Sequence, residues 1–237
     1  MNYGKPGRRT APWTLLLFYN LRVRPVTIVF AKAPVAGRVK TRLTPPLTAG
    51  QAASLHTALV WDLLERLREL EGTDLELHTD GPPDAWADLG ITSRLQVDGD
   101  LGERMLHAIA EALGDGRPAA MIVGGDSPDV PLAHLEGLLE SPFDVALGPA
   151  RDGGYYAIRC RRHDAGMFRG VKWSSAATLE QTLRSVRECG LSAGLGEPWY
   201  DVDDYAGLEQ IRSSAHIPRH TLRWLRENGW LRPREAR

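Results

Sequence analysis

Apolar and polar positions along the chain switch repeatedly between the two periods of regular structure. Residues 26–31, Val-Thr-Ile-Val-Phe-Ala, form an apolar, β-branched run of the kind found in buried parallel strands. A Pro/Gly-containing loop ends it. Thr48 then suits the cap of a long helix reaching to about residue 70, with Leu55, Leu59, Leu63, Leu67 and Leu70 on one stripe. The same alternation predicts strands at 75–79 and 94–97, a helix at 101–113, and a strand at 119–123 that runs into Gly124-Gly125-Asp126. A helix at 131–139 starts at Pro131, strands follow at 144–148 and 155–159, and a helix at 176–189 is capped by Ser174 or Ser175. Two further helices fall at 205–213 and 218–228. Strands alternating with helices, without internal repeat or low-complexity linker, predict a single α/β domain with a mostly parallel sheet and helices on both faces. In such sheets ligands lie beyond the carboxyl ends of the strands. The expected organisation is an irregular basic leader at 1–25, the domain at 26–213 and a helical tail at 214–237.

Composition narrows the class. At 237 residues, 43% hydrophobic and 25% charged, the chain suits one compact domain and excludes a disordered chain, a collagen-like repeat or a disulfide-stapled miniprotein. Cys160 and Cys189 lack CxxC spacing, so neither a zinc ribbon nor a thioredoxin-type pair is available, and a reduced, cytoplasmic compartment is the expectation. No window reaches the roughly 18 apolar residues that a membrane span needs. Charge is uneven: residues 1–61 hold nine Lys/Arg and no acid, and the remainder holds twenty against thirty. That division suits a nucleic-acid arm, a targeting peptide, or an anion site opposite a metal site. Arg8, Arg9, Arg22 and Arg24 are read as belonging to the leader, as from an upstream start, which leaves Lys32, Arg38, Lys40 and Arg42 to be explained.

Three strand-end loops can carry chemistry. Lys32-Ala-Pro-Val-Ala-Gly-Arg-Val-Lys-Thr-Arg42 follows the first strand; Gly37 permits positive φ, and the four cations suit a di- or triphosphate. The loop carries neither the G-x-G-x-x-G nor the G-x-x-x-x-G-K-[ST] pattern, and a solvated basic turn is the alternative. In Gly124-Gly-Asp-Ser-Pro-Asp129, Asp126 is a carboxylate that can hold Mg²⁺ or Mn²⁺ against a phosphate, or an ordinary turn residue; Asp129 is expected to cap the next helix. In Asp201-Val-Asp-Asp204, extended backbone would aim Asp201 and Asp203 the same way, a pairing that is costly without a cation or solvent; Asp204 can cap the helix that follows. Between these loops, Gly148-Pro-Ala-Arg-Asp-Gly-Gly-Tyr-Tyr156 offers Arg151 and Asp152 as ligand contacts, Gly153 and Gly154 for close approach, and Tyr155 to stack on a sugar or base, or else a plain turn between strands. Trp173 and Ser174 are candidate walls for an acceptor, although capping explains the serines equally well. His216 and His220 are read as surface residues.

The strings Phe30-Ala-Lys-Ala-Pro-Val-Ala-Gly-Arg-Val-Lys-Thr-Arg-Leu43, Asp100-Leu-Gly-Glu-Arg-Met105, Gly125-Asp-Ser-Pro-Asp-Val-Pro131, Gly148 to Tyr156 and Asp201-Val-Asp203 together resemble the DUF2064 family, whose members are similar to type-A glycosyltransferases and are labelled arsenosugar-type or selenodomain-associated transferases. The resemblance runs over residues 26–211 and implies a three-layer αβα sandwich with a mostly parallel mixed sheet, the nucleotide-diphospho-sugar transferase fold, and a metal-dependent nucleotide site. It places Asp126 at the metal-binding aspartate of a D-x-D-like element and Asp203 at a late second carboxylate. Gly125 stands where relatives commonly carry Thr. The K-x-R-L ending at Leu43 and the late D-V-D also look like the phospholactate or phosphoenolpyruvate guanylyltransferases of deazaflavin-cofactor synthesis.

Two reactions follow as expectations. In the first, a sugar moves from a nucleoside diphosphate sugar to a small acceptor. Mg²⁺ or Mn²⁺ on Asp126 and Asp203, with Asp201 as a further ligand, meets the leaving diphosphate; Arg38 and Lys40 share its charge, and Asp152 is the candidate base. In the second, a phosphorylated acceptor attacks the α-phosphate of an NTP and pyrophosphate leaves. Across both, Ala31, Lys32, Gly37, Arg38, Lys40, Arg42 and Gly125 form the phosphate-binding set; Gly153, Gly154, Tyr155, Trp173 and Ser174 form the substrate-binding set. A salt-sensitive, metal-indifferent nucleic-acid module is disfavoured, because no basic strand is interleaved with aromatics.

Overall fold

The computed structural model describes Met1 and residues 23–82, 85–86 and 90–231, so most of the expected leader lies outside the described residues. Seven strands form one sheet: β1 (Val26–Ala31), β2 (Asp74–Thr79), β3 (Thr92–Leu95), β4 (Ala120–Gly124), β5 (Val145–Pro149), β6 (Tyr155–Cys160) and β7 (Ala193–Leu195), in the order β3-β2-β1-β4-β6-β5-β7. β6 runs antiparallel to both neighbours, and the other pairings are parallel. This is the expected mostly parallel, mixed α/β sheet.

Six α-helices are described: α1 (Ala49–Leu67), α2 (Leu101–Gly114), α3 (Leu132–Glu140), α4 (Thr178–Glu188), α5 (Tyr205–Arg212) and α6 (Arg219–Glu227). Thr48 and Gln51 close a reciprocal cap at the start of α1, and Asp100 and Glu103 do the same for α2. Side chains alternate across the sheet. Val29, Ala31, Met121 and Val123 join α1 and α3 in one buried layer, while Val26, Ile28, Ala120 and Ile122 join α2 and α4 in the other. A third cluster fastens α5 and α6 to the outer side of α1 through Leu208, Ile211, Trp224 and Leu225. No helix among the described residues is long and apolar enough to cross a membrane.

Three local expectations are corrected. The third strand lies two residues earlier than periodicity placed it, at Thr92–Leu95. β7, only three residues long, was not anticipated, since three residues carry no readable alternation. Neither Ser174 nor Ser175 caps α4. Its cap position is Ala177, because Thr178 turns its hydroxyl back to the Lys172 and Ser175 carbonyls and the helix begins only there.

Arg159 is completely buried in β6 without a carboxylate partner in the described residues. Its guanidinium donates to the carbonyls of Leu138 (2.8 Å), Phe143 (2.8 Å) and Ser141 (2.6 Å), closing the end of α3 and the turn after it. Burial lowers its pKa to about 10.

Candidate active site

From β1 the chain builds outward through β2 and β3, then crosses back to place β4 on the other side of β1. The two strands end level, Phe30 opposite Gly124, and their following loops separate there. Such a switch of direction leaves a crevice at the carboxyl edge of the sheet. A cleft of about 610 Å³ occupies it. Because β6 is antiparallel, its beginning at Tyr155 and the preceding Asp152–Gly154 turn face the same cleft.

Acidic side chains converge on it from three loops: Asp126 after β4, Asp152 before β6, and Asp201 and Asp203 before α5. Val202 between the last two is buried, while Asp201 and Asp203 on either side of it both line the cleft. Lys32, Lys40 and Arg42 line the same cleft. Lys40 Nζ donates to Asp126 Oδ1 and lies 3.8 Å from Asp203 Oδ1, while Arg42 Nη1 holds Asp203 Oδ2 at 2.9 Å.

These charges set the protonation of the site. Burial alone would raise the Asp126 carboxyl, but Lys40, helped by His56 and Lys32, holds it below the usual carboxylate range. Asp201 goes the other way: burial first, then the like charges of Asp152, Asp126 and Asp203, push it up to about 6. Acids thus outnumber cations around Asp201. A set of hard carboxylate oxygens with excess negative charge has the donor chemistry that suits Mg²⁺ or Mn²⁺, and Asp126, Asp203 and Asp201 are the residues that could hold such an ion.

The two acidic loops are fastened to each other. Val202 N–H donates to the Asp126 carbonyl (2.8 Å), and the buried Ser127 hydroxyl donates to the Tyr200 carbonyl (2.9 Å). Asp129, expected to cap α3, instead accepts from Trp199 Nε1 (3.2 Å) and Tyr200 Oη (2.5 Å); Pro131 occupies the cap position without a side-chain bond. Two donors from the residues just before the D-V-D segment outcompete the helix end for that carboxylate. Asp204 does cap its helix, accepting from Gly207 N at 3.0 Å.

The other sequence candidates divide. Ala31, Gly154, Tyr155, Trp173 and Ser174 line the cleft. Tyr155 presents its ring, while its hydroxyl end is buried and its pKa pushed far up by that burial. Ser174 holds a left-handed φ of 54°. Gly37 and Arg38 sit on the exposed outer part of the basic loop and do not line the cleft, although Gly37 has the expected positive φ, 80°. Gly125 does not line it either. A Cβ there would stand 3.0 Å from Val60 Cγ2, so this glycine lets β4 approach α1. Gly153 is packed against the backbone of Ala176, and Arg151 turns away to Gln210 (3.0 Å) and the face of Tyr200 (5.9 Å).

Residue reading missed His56. It is buried on α1, its Nε2 donates to the Lys32 carbonyl at 2.9 Å, and its Nδ1 is buried without a hydrogen-bond partner among the described residues. Burial foremost, with Lys40 and Lys32, lowers its pKa against the pull of Asp126. The available signal was a lone histidine beside Leu55 on the buried stripe of a helix leading out of the basic loop. Gln96 and Arg104 also line the cleft, joined by an Arg104 Nη1 to Gln96 Oε1 bond of 3.1 Å.

His220, read as a surface residue, gathers with Asp62 and Glu65 in a cluster of metal-ligand type. Its atoms are already committed. Asp62 accepts from the backbone N–H groups of His220 (2.7 Å) and Thr221 (2.7 Å) and from the Thr221 hydroxyl (2.6 Å), while Glu65 pairs with Arg219 and His220. The cluster caps α6 and ties it to α1.

The comparisons with known proteins agree with this architecture. The family described as "Uncharacterized protein conserved in bacteria (DUF2064)" matches residues 63–175. A crystal structure titled "putative nucleotide-diphospho-sugar transferase" from Desulfovibrio desulfuricans G20 is 32% identical, with a TM-score of 0.76 over 87% of this chain and 95% of that one. More distant structures share the fold. CMP:2-keto-3-deoxy-manno-octonic acid synthetase complexed with CTP is 15% identical, with a TM-score of 0.54 over 80% of this chain and 97% of that one. A cytidylyltransferase from Leptospira borgpetersenii serovar Hardjo-bovis is 12% identical, with a TM-score of 0.55 over 91% of this chain and 99% of that one. No curated protein matches. By its motifs, its 32% identity to that solved relative and its sheet, the chain belongs to the DUF2064 family and is a transferase with the nucleotide-diphospho-sugar transferase fold.

Proposed function

We propose that this protein transfers a sugar from a nucleoside diphosphate sugar to the hydroxyl of a small acceptor, with Mg²⁺ or Mn²⁺. The observation that carries the reading is the meeting of Asp126, Asp201 and Asp203 with Lys32, Lys40 and Arg42 across one cleft at the switch point of the sheet. A divalent ion, when bound, neutralises charge on the diphosphate; Asp126 and Asp203 would hold it, with Asp201 beside them. The chain's own groups orient and stabilise. Lys32, Lys40 and Arg42 receive phosphate oxygens, and the walls at Trp173, Ser174 and Gly154 leave room for the acceptor. Asp152 stands on the same rim as the candidate base for the acceptor proton, its Oδ1 held by Gly154 N at 2.8 Å. The 32% identical relative supports a nucleotide-sugar donor.

The test is product analysis with a panel of nucleoside diphosphate sugars and Mn²⁺: release of nucleoside diphosphate with metal and none with EDTA is expected. Asp126→Ala should lower turnover 100-fold or more, about 2.7 kcal/mol in the barrier; near-normal turnover would refute the assignment. Three cations in one cleft also suit a triphosphate, which favours nucleotidyl transfer to a phosphorylated acceptor as the second reading. Pyrophosphate as product would decide for it.

A further inference from the structure

We propose that the Lys40 ammonium is a resident counter-ion for the Asp126–Asp203 pair, which moves to the phosphates when a metal-bearing nucleotide enters, so that cation and phosphate binding are coupled through this side chain. The inference rests on the metal site of the proposed function and adds an order to its filling.

The Lys40 side chain is 2% exposed, bonds Asp126 Oδ1 and stands 3.8 Å from Asp203 Oδ1. Both carboxylates offered to a metal are therefore already engaged by an internal cation. A divalent ion and an ammonium repel each other at such separations, most strongly where water is excluded. The lysine must then leave those oxygens, and a buried ammonium without an anion is costly. Arg42 already occupies the other oxygen of Asp203, so an ion on that carboxylate leaves it no free oxygen for the lysine. A phosphate of the incoming nucleotide supplies the missing anion.

The backbone favours movement of this one side chain over movement of the loop. Lys40 has a left-handed φ of 50°, which a residue with a Cβ holds only when its surroundings enforce it. Buried Val39 and Leu43 flank it, and Leu43 N donates to its carbonyl at 2.9 Å. The four-carbon stem has rotatable bonds through which the ammonium can be re-aimed along the cleft that Lys40 lines. Metal alone then binds weakly because it must displace the lysine, and each ligand prepares the site for the other, as linkage requires.

The test uses Mn²⁺ binding, read by the resonance of the free ion, on full-length wild type, Lys40→Met, Lys40→Arg and Asp126→Asn, each checked for folding by circular dichroism. Lys40→Met should bind Mn²⁺ alone about 10-fold tighter than wild type, and Lys40→Arg should behave as wild type. With pyrophosphate as the phosphate probe, and correcting for its own complex with Mn²⁺, wild type should show coupling within the common range of about 5–150-fold, reduced below about 2-fold in Lys40→Met. Unchanged or weaker Mn²⁺ binding by Lys40→Met, with binding abolished in Asp126→Asn, overturns the counter-ion role and leaves the metal site standing. No Mn²⁺ uptake by any of the proteins overturns the metal site and this inference together. If Lys40→Met does not fold, the wild-type coupling decides, and a factor near 1 overturns it.

Discussion

Replacing Asp201 by Asn should make the metal-free protein more stable at alkaline pH, even though it removes a residue of the site. Asp201 is pushed up to about 6 by burial and by Asp152, Asp126 and Asp203, against an ordinary value of 3.8. A folded-state value above the unfolded one means that folding disfavours the ionised form. The penalty is full above about pH 6 and disappears as the pH falls below the unfolded value. A gap of about 2 units corresponds to a ceiling of about 3 kcal/mol. Asp201 is only partly buried, so solvent screening reduces this to roughly 1–2 kcal/mol. The amide keeps the shape and removes the charge. For a chain of this size the melting temperature should rise by about 2–8 °C at pH 8, and by less than half as much at pH 4.5. The assay is thermal unfolding in EDTA at both pH values, wild type beside variant. A variant no more stable at pH 8, or equally stabilised at pH 4.5, would refute the claim that the acids repel one another. Saturating Mn²⁺ should reverse the order, because the ion stabilises the wild type through a ligand that the variant lacks.

Other consequences can be tested in the same way. Asp62→Ala removes the acceptor of three hydrogen bonds at the start of α6 and should cost about 3 kcal/mol, a fall of roughly 6–12 °C in melting temperature; a fall below about 2 °C would show that α6 does not depend on this cap. Arg159→Met leaves three carbonyls without their donor and should cost about 3 kcal/mol in chemical denaturation, with little change expected in metal binding. Gly153→Ala would place a Cβ 2.2 Å from the Ala176 carbonyl oxygen at a φ of +90°, so it should displace the Asp152 turn, lowering both turnover and stability; unchanged turnover would show that the turn does not position the site.

Much of this molecule was legible because its signals are local. A threonine able to cap α1, the leucine stripe behind it, and β-branched runs ending in glycine or proline need no knowledge of distant residues, and six helices and six strands followed from such signals. The D-V-D alternation was equally local, and its two carboxylates do share one cleft. What failed was competition across the fold. Asp129 had a helix end within reach and was taken by Trp199 and Tyr200, about seventy residues away. Gly125 lay beside the metal-type aspartate and proved to be space for Val60. His56 was invisible as chemistry because its meaning comes from Asp126 and Lys40, which only the sheet brings near. The sequence by itself determined the elements, their order and the residue types available to an anion-and-metal site, since these depend on short-range periodicity and charge. Only the tertiary structure decided which of those residues meet, because partners far apart in the chain compete for each carboxylate, and burial decides which of them wins.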